Sequence, residues 1–403
     1  MKILYVSDVY FPRINGVSTS IRDFRKALST LGHEVHLVAP QYDLGETTEA
    51  HIHRIPSRVV LIDPEDRMMR MSPLRALDEV LQRECFDLVH IQTPFIAHHA
   101  GVRLARRILG VPLVATFHTH FEEYLAHYVP VAPKPLLRWL VRRFTRRQAR
   151  DLDALVVPSS AIQSLLEGYG VTTPTRIIPT GIDLQRFRGG EGLRFRSRLG
   201  ISAQTPVMLF VGRLAHEKNI GFLLRVLKQV RRSVPKTQFI IAGEGPATAS
   251  LRRSVTELRL HNAVHIVGNI PERDDLLDCY RAADCFAFAS CTETQGLVLL
   301  EAMALGVPVI AAAILGTRDI LNPQRGAIVP ELNEDAFSAA ICRVLTQDTL
   351  HARLSREAWS YVREWSIDAT AARMNELYLD VVAAHGAPRE AFAETAVYDR
   401  SAN

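Results

Sequence analysis

No stretch of this chain is apolar for long enough to cross a bilayer, so any contact with a membrane is expected at its surface. The first residues, Met1 to Val6, meet Asp8 after only a few apolar side chains, which reads as a buried strand and not as a signal peptide. Cysteine is scarce and odd in number: Cys85, Cys279, Cys285, Cys291 and Cys342 form no Cys-x-x-Cys pair, the pattern of a reduced compartment. The expected location is cytoplasmic, at most peripheral on the inner face of the membrane. No Gly-x-Gly-x-x-Gly follows the first strand. Instead Asp8–Ser20 is broken by Pro12 and Gly16, which disfavours a nicotinamide-binding first domain. Strong charge of one sign is also missing. The net charge of +5 suits an anionic partner, without choosing between a nucleotide, a phospholipid surface and nucleic acid.

What is present is length and an alternating pattern. A chain of 403 residues, 47% hydrophobic and 23% charged, suits two globular domains with sizeable cores. Short apolar runs at Ile3–Ser7, Glu34–Ala39, Leu88–Ile91, Leu113–Phe117 and Ala154–Pro158 alternate with helical patterns such as Ser18–Leu31 and His98–Leu109. A second series follows at Val207–Val211, Gln238–Ala242, Val264–Val267, Cys285–Ala289 and Pro308–Ala311. This is a βαβα signature occurring twice, and it predicts an α/β fold of two Rossmann-like doubly wound parallel-sheet domains facing a cleft. The expected domains are 1–190 and 204–368, joined through the glycine-rich, charged stretch Phe187–Gln204, in which Arg194–Leu199 reads as a short helix. A helix over 369–385 is expected to pack back on the first domain, and the tail 386–403 to be mobile. A ligand belongs at the carboxyl ends of the strands.

Several segments sit there. Ala289–Met303 leaves a strand through the polar turn Thr292–Gly296 and enters an apolar helix at Leu297. Gly296 allows close approach of backbone to ligand, and the free amides of a helix start suit phosphate or sugar oxygens. Glu293 and Glu301 are two carboxylates placed to accept hydrogen bonds from ligand hydroxyls. After Val207–Val211 come Arg213 and Lys218, close enough to converge on one anion such as a diphosphate. Gly243-Glu-Gly245 and Gly268-Asn269 end two further strands; as bare turns they fit a nucleoside edge and a tight structural turn nearly equally. In the first half, Gly16, Thr93 and the pair His118 and His120 also follow strands.

The Glu293–Glu301 segment closely resembles the Glu-x7-Glu signature of retaining glycosyltransferases with the GT-B fold, family 4 (group 1), which include bacterial lipid-modifying members. Gly212-Arg-Leu-Ala-His-Glu-Lys218-Asn is similar to that family's diphosphate-binding segment, and the resemblance runs from Met1 to the helix ending near Ala384. It implies that Glu301 binds the ribose hydroxyls. Glu293 and the loop through Thr294, Gln295, Gly296 and Leu297 would hold the donor sugar, with Gln295 standing where many relatives carry Phe. It implies that Gly16 lies near the donor phosphate, that His118 touches the donor sugar, and that Gly243, Gly245, Gly268 and Asn269 border the nucleoside. His120 and Thr93 fall to the acceptor side. The implied reaction moves a hexose, with retention, from a UDP- or GDP-sugar to a hydroxyl of a lipid, glycolipid or saccharide. The catalytic set would be His118, Arg213, Lys218 and Glu293. The leaving phosphate would take the acceptor proton, so no cofactor and no metal are expected. A DxD stretch at a strand end, the usual mark of metal-dependent transferases, is missing; Asp151-Leu-Asp153 precedes a strand instead.

Lys134–Arg150 is the most basic part of the chain, with Leu136, Leu137, Leu140, Val141 and Phe144 at helical spacing among Arg138, Arg142, Arg143, Arg146 and Arg147. It fits a helix lying on an anionic membrane and, equally, a helix packed on the first sheet with solvated arginines outside. Two other classes stay open: a different enzyme on the same fold, such as a nucleotide-sugar epimerase or a phosphorylase, and a binding protein for membrane or nucleic acid. Nucleic acid is not the expected partner, because such a protein has no need of Glu293, Glu301, Arg213 and Lys218 together.

Overall fold

The computed structural model describes residues 1–13, 15–42, 49–59, 67–118 and 134–386, with Lys134 described in its backbone only. The chain divides into two compact units, Met1–Gly181 with Ile367–Asn403, and Ile182–Ser366.

The first unit is built on a seven-stranded parallel sheet. Its strands are β1 (Lys2–Val6), β2 (Glu34–Pro40), β3 (Ile52–Ile55), β6 (Leu88–Ile91), β7 (Leu113–Thr116), β8 (Ala154–Val157) and β9 (Thr175–Ile177). A small antiparallel ribbon, β4 (Ser57–Val59) and β5 (Arg67–Met69), stands apart. The spatial order is β3-β2-β1-β6-β7-β8-β9. The apolar runs of the inner strands are continuous because those strands are covered on both faces, and alternation sorts the side chains between two cores. Leu4, Val6, Val89, Ile91, Leu113 and Val157 enter one core, while Ile3, Tyr5, Leu37, Leu88, Val114 and Val156 enter the other. The helix Ile367–His385 covers the second face through Met374, Leu377, Tyr378 and Val381. Its Tyr378 hydroxyl meets Tyr5 at 2.9 Å and His90 Nδ1 at 2.5 Å, and His90 Nε2 meets Thr116 at 2.7 Å. A buried polar chain therefore ties the last helix to three strands.

The second unit holds six parallel strands: β10 (Val207–Val211), β11 (Gln238–Ala242), β12 (Val264–Gly268), β13 (Cys285–Phe288), β14 (Val309–Ala311) and β15 (Ala327–Ile328). Their order is β12-β11-β10-β13-β14-β15. In both sheets the order reverses beside the first strand, between β1 and β6 and between β10 and β13. In open parallel sheets, ligands bind at such a reversal. The two parallel-sheet domains are those the alternating pattern predicts.

Domain limits differ from the expectation. The division falls at Gly181/Ile182, and Phe187–Gln204 belongs to the second unit. Two of the glycines and two of the arginines that read as a linker are packing devices. A Cβ on Gly192 would lie 2.2 Å from the Arg281 carbonyl oxygen, and one on Gly190 would lie 2.9 Å from that of Leu277. Arg196 is buried and binds the carbonyls of Ala282, Ala203 and Thr205 and the carboxylate of Asp284. Arg194 pairs with the buried Asp278. The short helix spans Gly192–Arg198. The helix after β6 starts at Ile96 and widens to a π turn over Leu104–Leu109 before Gly110, whose φ of +68° ends it. Nearly all of the expected mobile tail lies outside the described residues.

Candidate active site

In the second unit, the loops following β10 and β13 meet at the strand-order reversal. The β10 loop runs from Gly212 to Asn219, and Asn219 takes a left-handed φ of +55° before the helix Ile220–Ser233. Three contacts join it to the β13 loop. Lys218 forms an ion pair with Glu293, both largely buried. Asn219 Nδ2 donates to the Ala289 carbonyl at 3.4 Å, and the hydroxyl of the buried Ser290 donates to the Glu217 carbonyl at 3.4 Å. Arg213 lies on the same β10 loop and is exposed.

The β13 loop is braced from behind. The Glu293 carbonyl accepts from Gly316 N at 2.9 Å, and a Cβ on Gly316 would stand 1.8 Å from the Thr294 carbonyl oxygen. Gln295 is buried. Gly296 has a φ of +97°, which a side chain tolerates poorly, and caps the helix Leu297–Ala304. Glu301 lies one turn into that helix and accepts from the Tyr280 hydroxyl at 2.6 Å. Burial, with the Glu301 carboxylate beside it, raises the phenol pKa and keeps it a donor. Tyr280 orients Glu301, and nothing in the sequence marks it, since it belongs to the preceding helix, Arg273–Arg281. Gly316 escapes notice for the same reason: only the folded loop shows what a side chain there would strike.

Gly243 and Gly245 pack against this loop cluster. A Cβ on Gly243 would lie 1.9 Å from the Gly212 carbonyl oxygen, and one on Gly245 would lie 2.5 Å from that of Leu214. Backbone packing alone requires glycine at both. Gly268 accepts from Gly243 N at 2.7 Å, and Asn269 is exposed beside it.

In the first unit, Asp8 spans the reversal between β1 and β6. Its buried carboxylate accepts from the Thr93 hydroxyl at 2.8 Å and from the amides of Phe95 (3.2 Å) and Ala97 (3.0 Å). Thr93 Oγ1 also accepts from Asp8 N at 2.6 Å, so its hydroxyl is engaged in holding the two loops together. Burial pushes the Asp8 pKa up to about 6 against these hydrogen bonds. Gly16 begins the helix Gly16–Thr30, behind Asn15, whose side chain accepts from Ser18 N at 2.8 Å. A Cβ on Gly16 would touch nothing within 4 Å, so the fold does not require glycine there. His118 follows β7, and its Nε2 meets Gln92 Oε1 at 3.1 Å. Burial lowers its pKa to about 4 and keeps the ring neutral. His120 lies outside the described residues.

The basic segment forms the helix Lys134–Ala149. Its apolar residues divide into two stripes. Leu137 and Val141 are buried on the unit, whereas Leu136, Trp139, Leu140 and Phe144 remain 50%, 54%, 46% and 40% exposed. Arg138, Arg142, Arg143 and Arg147 are exposed among them, with Arg143 over the Trp139 ring. Packing therefore uses one stripe and leaves a second in solvent, rimmed by cations.

Two family models match: glycosyltransferase family 4 over residues 14–186 and glycosyl transferases group 1 over residues 193–360. The chain is 31% identical to the alpha-monoglucosyldiacylglycerol synthase of Streptococcus pneumoniae, over 99% of this chain and 90% of that one. It is 29% identical to a GDP-mannose-dependent alpha-mannosyltransferase of Mycobacterium tuberculosis, over 82% and 84%. Among solved structures, sucrose-phosphate synthase from Thermosynechococcus elongatus matches with a TM-score of 0.75 at 22% identity, covering 95% of this chain and all of that one.

Proposed function

Because the chain belongs to the group 1 and family 4 glycosyltransferases, with their GT-B fold, we propose that it moves a hexose, with retention, from a UDP- or GDP-sugar to a hydroxyl of a membrane lipid or glycolipid. The observation that carries the donor half is the meeting of Lys218 and Glu293 at the β10/β13 reversal. Lys218, with Arg213, neutralises charge on the leaving diphosphate, so no metal is needed for that step. The ammonium has three donors, so it can keep Glu293 while binding a phosphate oxygen. Glu293 and the loop amides hold the sugar, and Glu301, steadied by Tyr280, binds the ribose. The neutral His118 contacts the sugar without adding charge. The acceptor hydroxyl attacks from the face that the diphosphate leaves, and a phosphate oxygen takes its proton.

The acceptor half rests on the exposed Leu136–Trp139–Leu140–Phe144 stripe among arginines, a surface suited to an anionic bilayer. The kinship with a glycolipid synthase supports the same class of acceptor. A thermal-shift comparison of UDP, GDP and ADP tests the donor. A midpoint raised by UDP or GDP and not by ADP is expected; no response to either UDP or GDP contradicts the reading.

A further inference from the structure

Glu34, His36 and His51 cluster at the starts of β2 and β3, at the opposite end of the first sheet from the Asp8, Thr93 and His118 loops. Alternation puts Glu34 and His36 on one face of β2. The pairing of Leu37 with Ile52 brings His51 level with His36. Three donor atoms form a triangle. His36 Nε2 lies 2.7 Å from Glu34 Oε1 and 3.0 Å from His51 Nδ1, and the last two are 3.5 Å apart. A ring nitrogen has one proton or one lone pair, so His36 Nε2 serves only one of these neighbours by hydrogen bonding. A cation facing the triangle uses all three donors. Ligands about 2.0–2.1 Å from a tetrahedral zinc are roughly 3.3 Å apart, close to the spacing seen.

The surroundings are those of a held ligand. His36 Nδ1 meets His53 Nε2 at 3.3 Å, and a proton donated there turns the Nε2 lone pair towards the triangle. The His36 and Phe86 rings pack edge to face, with centroids 5.0 Å apart. His51 has a φ of +63°, a conformation that few non-glycine residues adopt, and that backbone carries its ring into the group. Lys2 Nζ stands 3.3 Å from Glu34 but also pairs with Glu84, so it keeps a partner when Glu34 turns to a metal.

We propose that Glu34, His36 and His51 bind a zinc-class divalent cation that clips β2 to β3, with His53 orienting His36 and a fourth position left to water. Two imidazoles and one carboxylate match such an ion, whereas calcium and magnesium take oxygen donors. The clip is structural and separate from the donor chemistry.

The test uses the tag-free full chain, stripped with EDTA and desalted, and titrated calorimetrically with zinc chloride. One zinc per chain, a raised thermal midpoint and no response to calcium are expected. The exposed His51→Ala and Glu34→Gln variants should each weaken zinc binding by at least about tenfold while leaving donor turnover unchanged. The exposure of both side chains keeps folding of these variants out of question, unlike that of the buried His36. No stoichiometric binding, or binding that both variants leave intact, overturns the proposal.

Discussion

Two histidines largely withdrawn from solvent and one buried aspartate set how the first unit responds to acid. His118 and His90 have pKa values lowered by burial to about 4 and about 3, against 6.5 for a free side chain. As pH falls below 6.5 the unfolded chain takes up protons at these positions and the folded chain does not, so stability drops through that window. Asp8 works in the opposite sense. Its carboxyl is raised to about 6 from 3.8, so it favours the folded state more as pH falls from about 6 towards 4. The two histidines outweigh the one aspartate, and His33, His53 and His98, also lowered by burial, act with them. Between pH 7 and pH 5 the loss is expected to be roughly 2 kcal/mol. Urea unfolding at the two pH values measures it, and equal or greater stability at pH 5 contradicts it. Of these groups only His118 stood out in the sequence, because it follows a strand. Asp8 and His90 needed the strand order before their burial could be seen.

At the scale of elements, helix starts and loops separate what the fold needs from what a ligand needs. Gly243, Gly245 and Gly316 face backbone atoms and are required by packing. Gly16 faces open space at the start of its helix, so Gly16→Ala is expected to leave stability unchanged or raise it by up to about 1 kcal/mol. Donor turnover should fall by tenfold or more if a donor phosphate approaches that backbone. Steady-state kinetics beside a denaturation curve check both halves, and full activity in the Gly16→Ala variant removes Gly16 from the donor site. The helix Lys134–Ala149 separates in the same way into a packed stripe and an exposed one. Trp139→Glu with Leu140→Glu is expected to abolish sedimentation with anionic vesicles at low salt while the far-ultraviolet circular dichroism stays unchanged. Undiminished binding places any membrane contact elsewhere. The helical spacing was legible in the sequence, but which stripe is buried was not, because periodicity cannot say which side meets the sheet.

Across the whole molecule, the repeated βαβα pattern was enough to foresee two parallel-sheet domains, since short apolar runs alternating with helices have few other solutions. The strand order was not legible: β10 and β13 are neighbours although β11 and β12 lie between them in the chain, and pairing over that distance leaves no local trace. That pairing is what brings Lys218 to Glu293. The segment Phe187–Gln204 misled for a related reason, because glycines that admit a neighbouring backbone look in sequence like glycines of a linker. The measurement that bears most directly on the account is transfer of radiolabelled hexose from UDP- and GDP-sugars into the chloroform-soluble fraction of diacylglycerol-containing vesicles, for the native chain and for Lys218→Ala. Labelled lipid is expected with one of the two donor classes, and a loss of at least about a hundredfold in the variant, which retains its fold. Label that never enters lipid, or a Lys218→Ala enzyme as active as the native one, would contradict it.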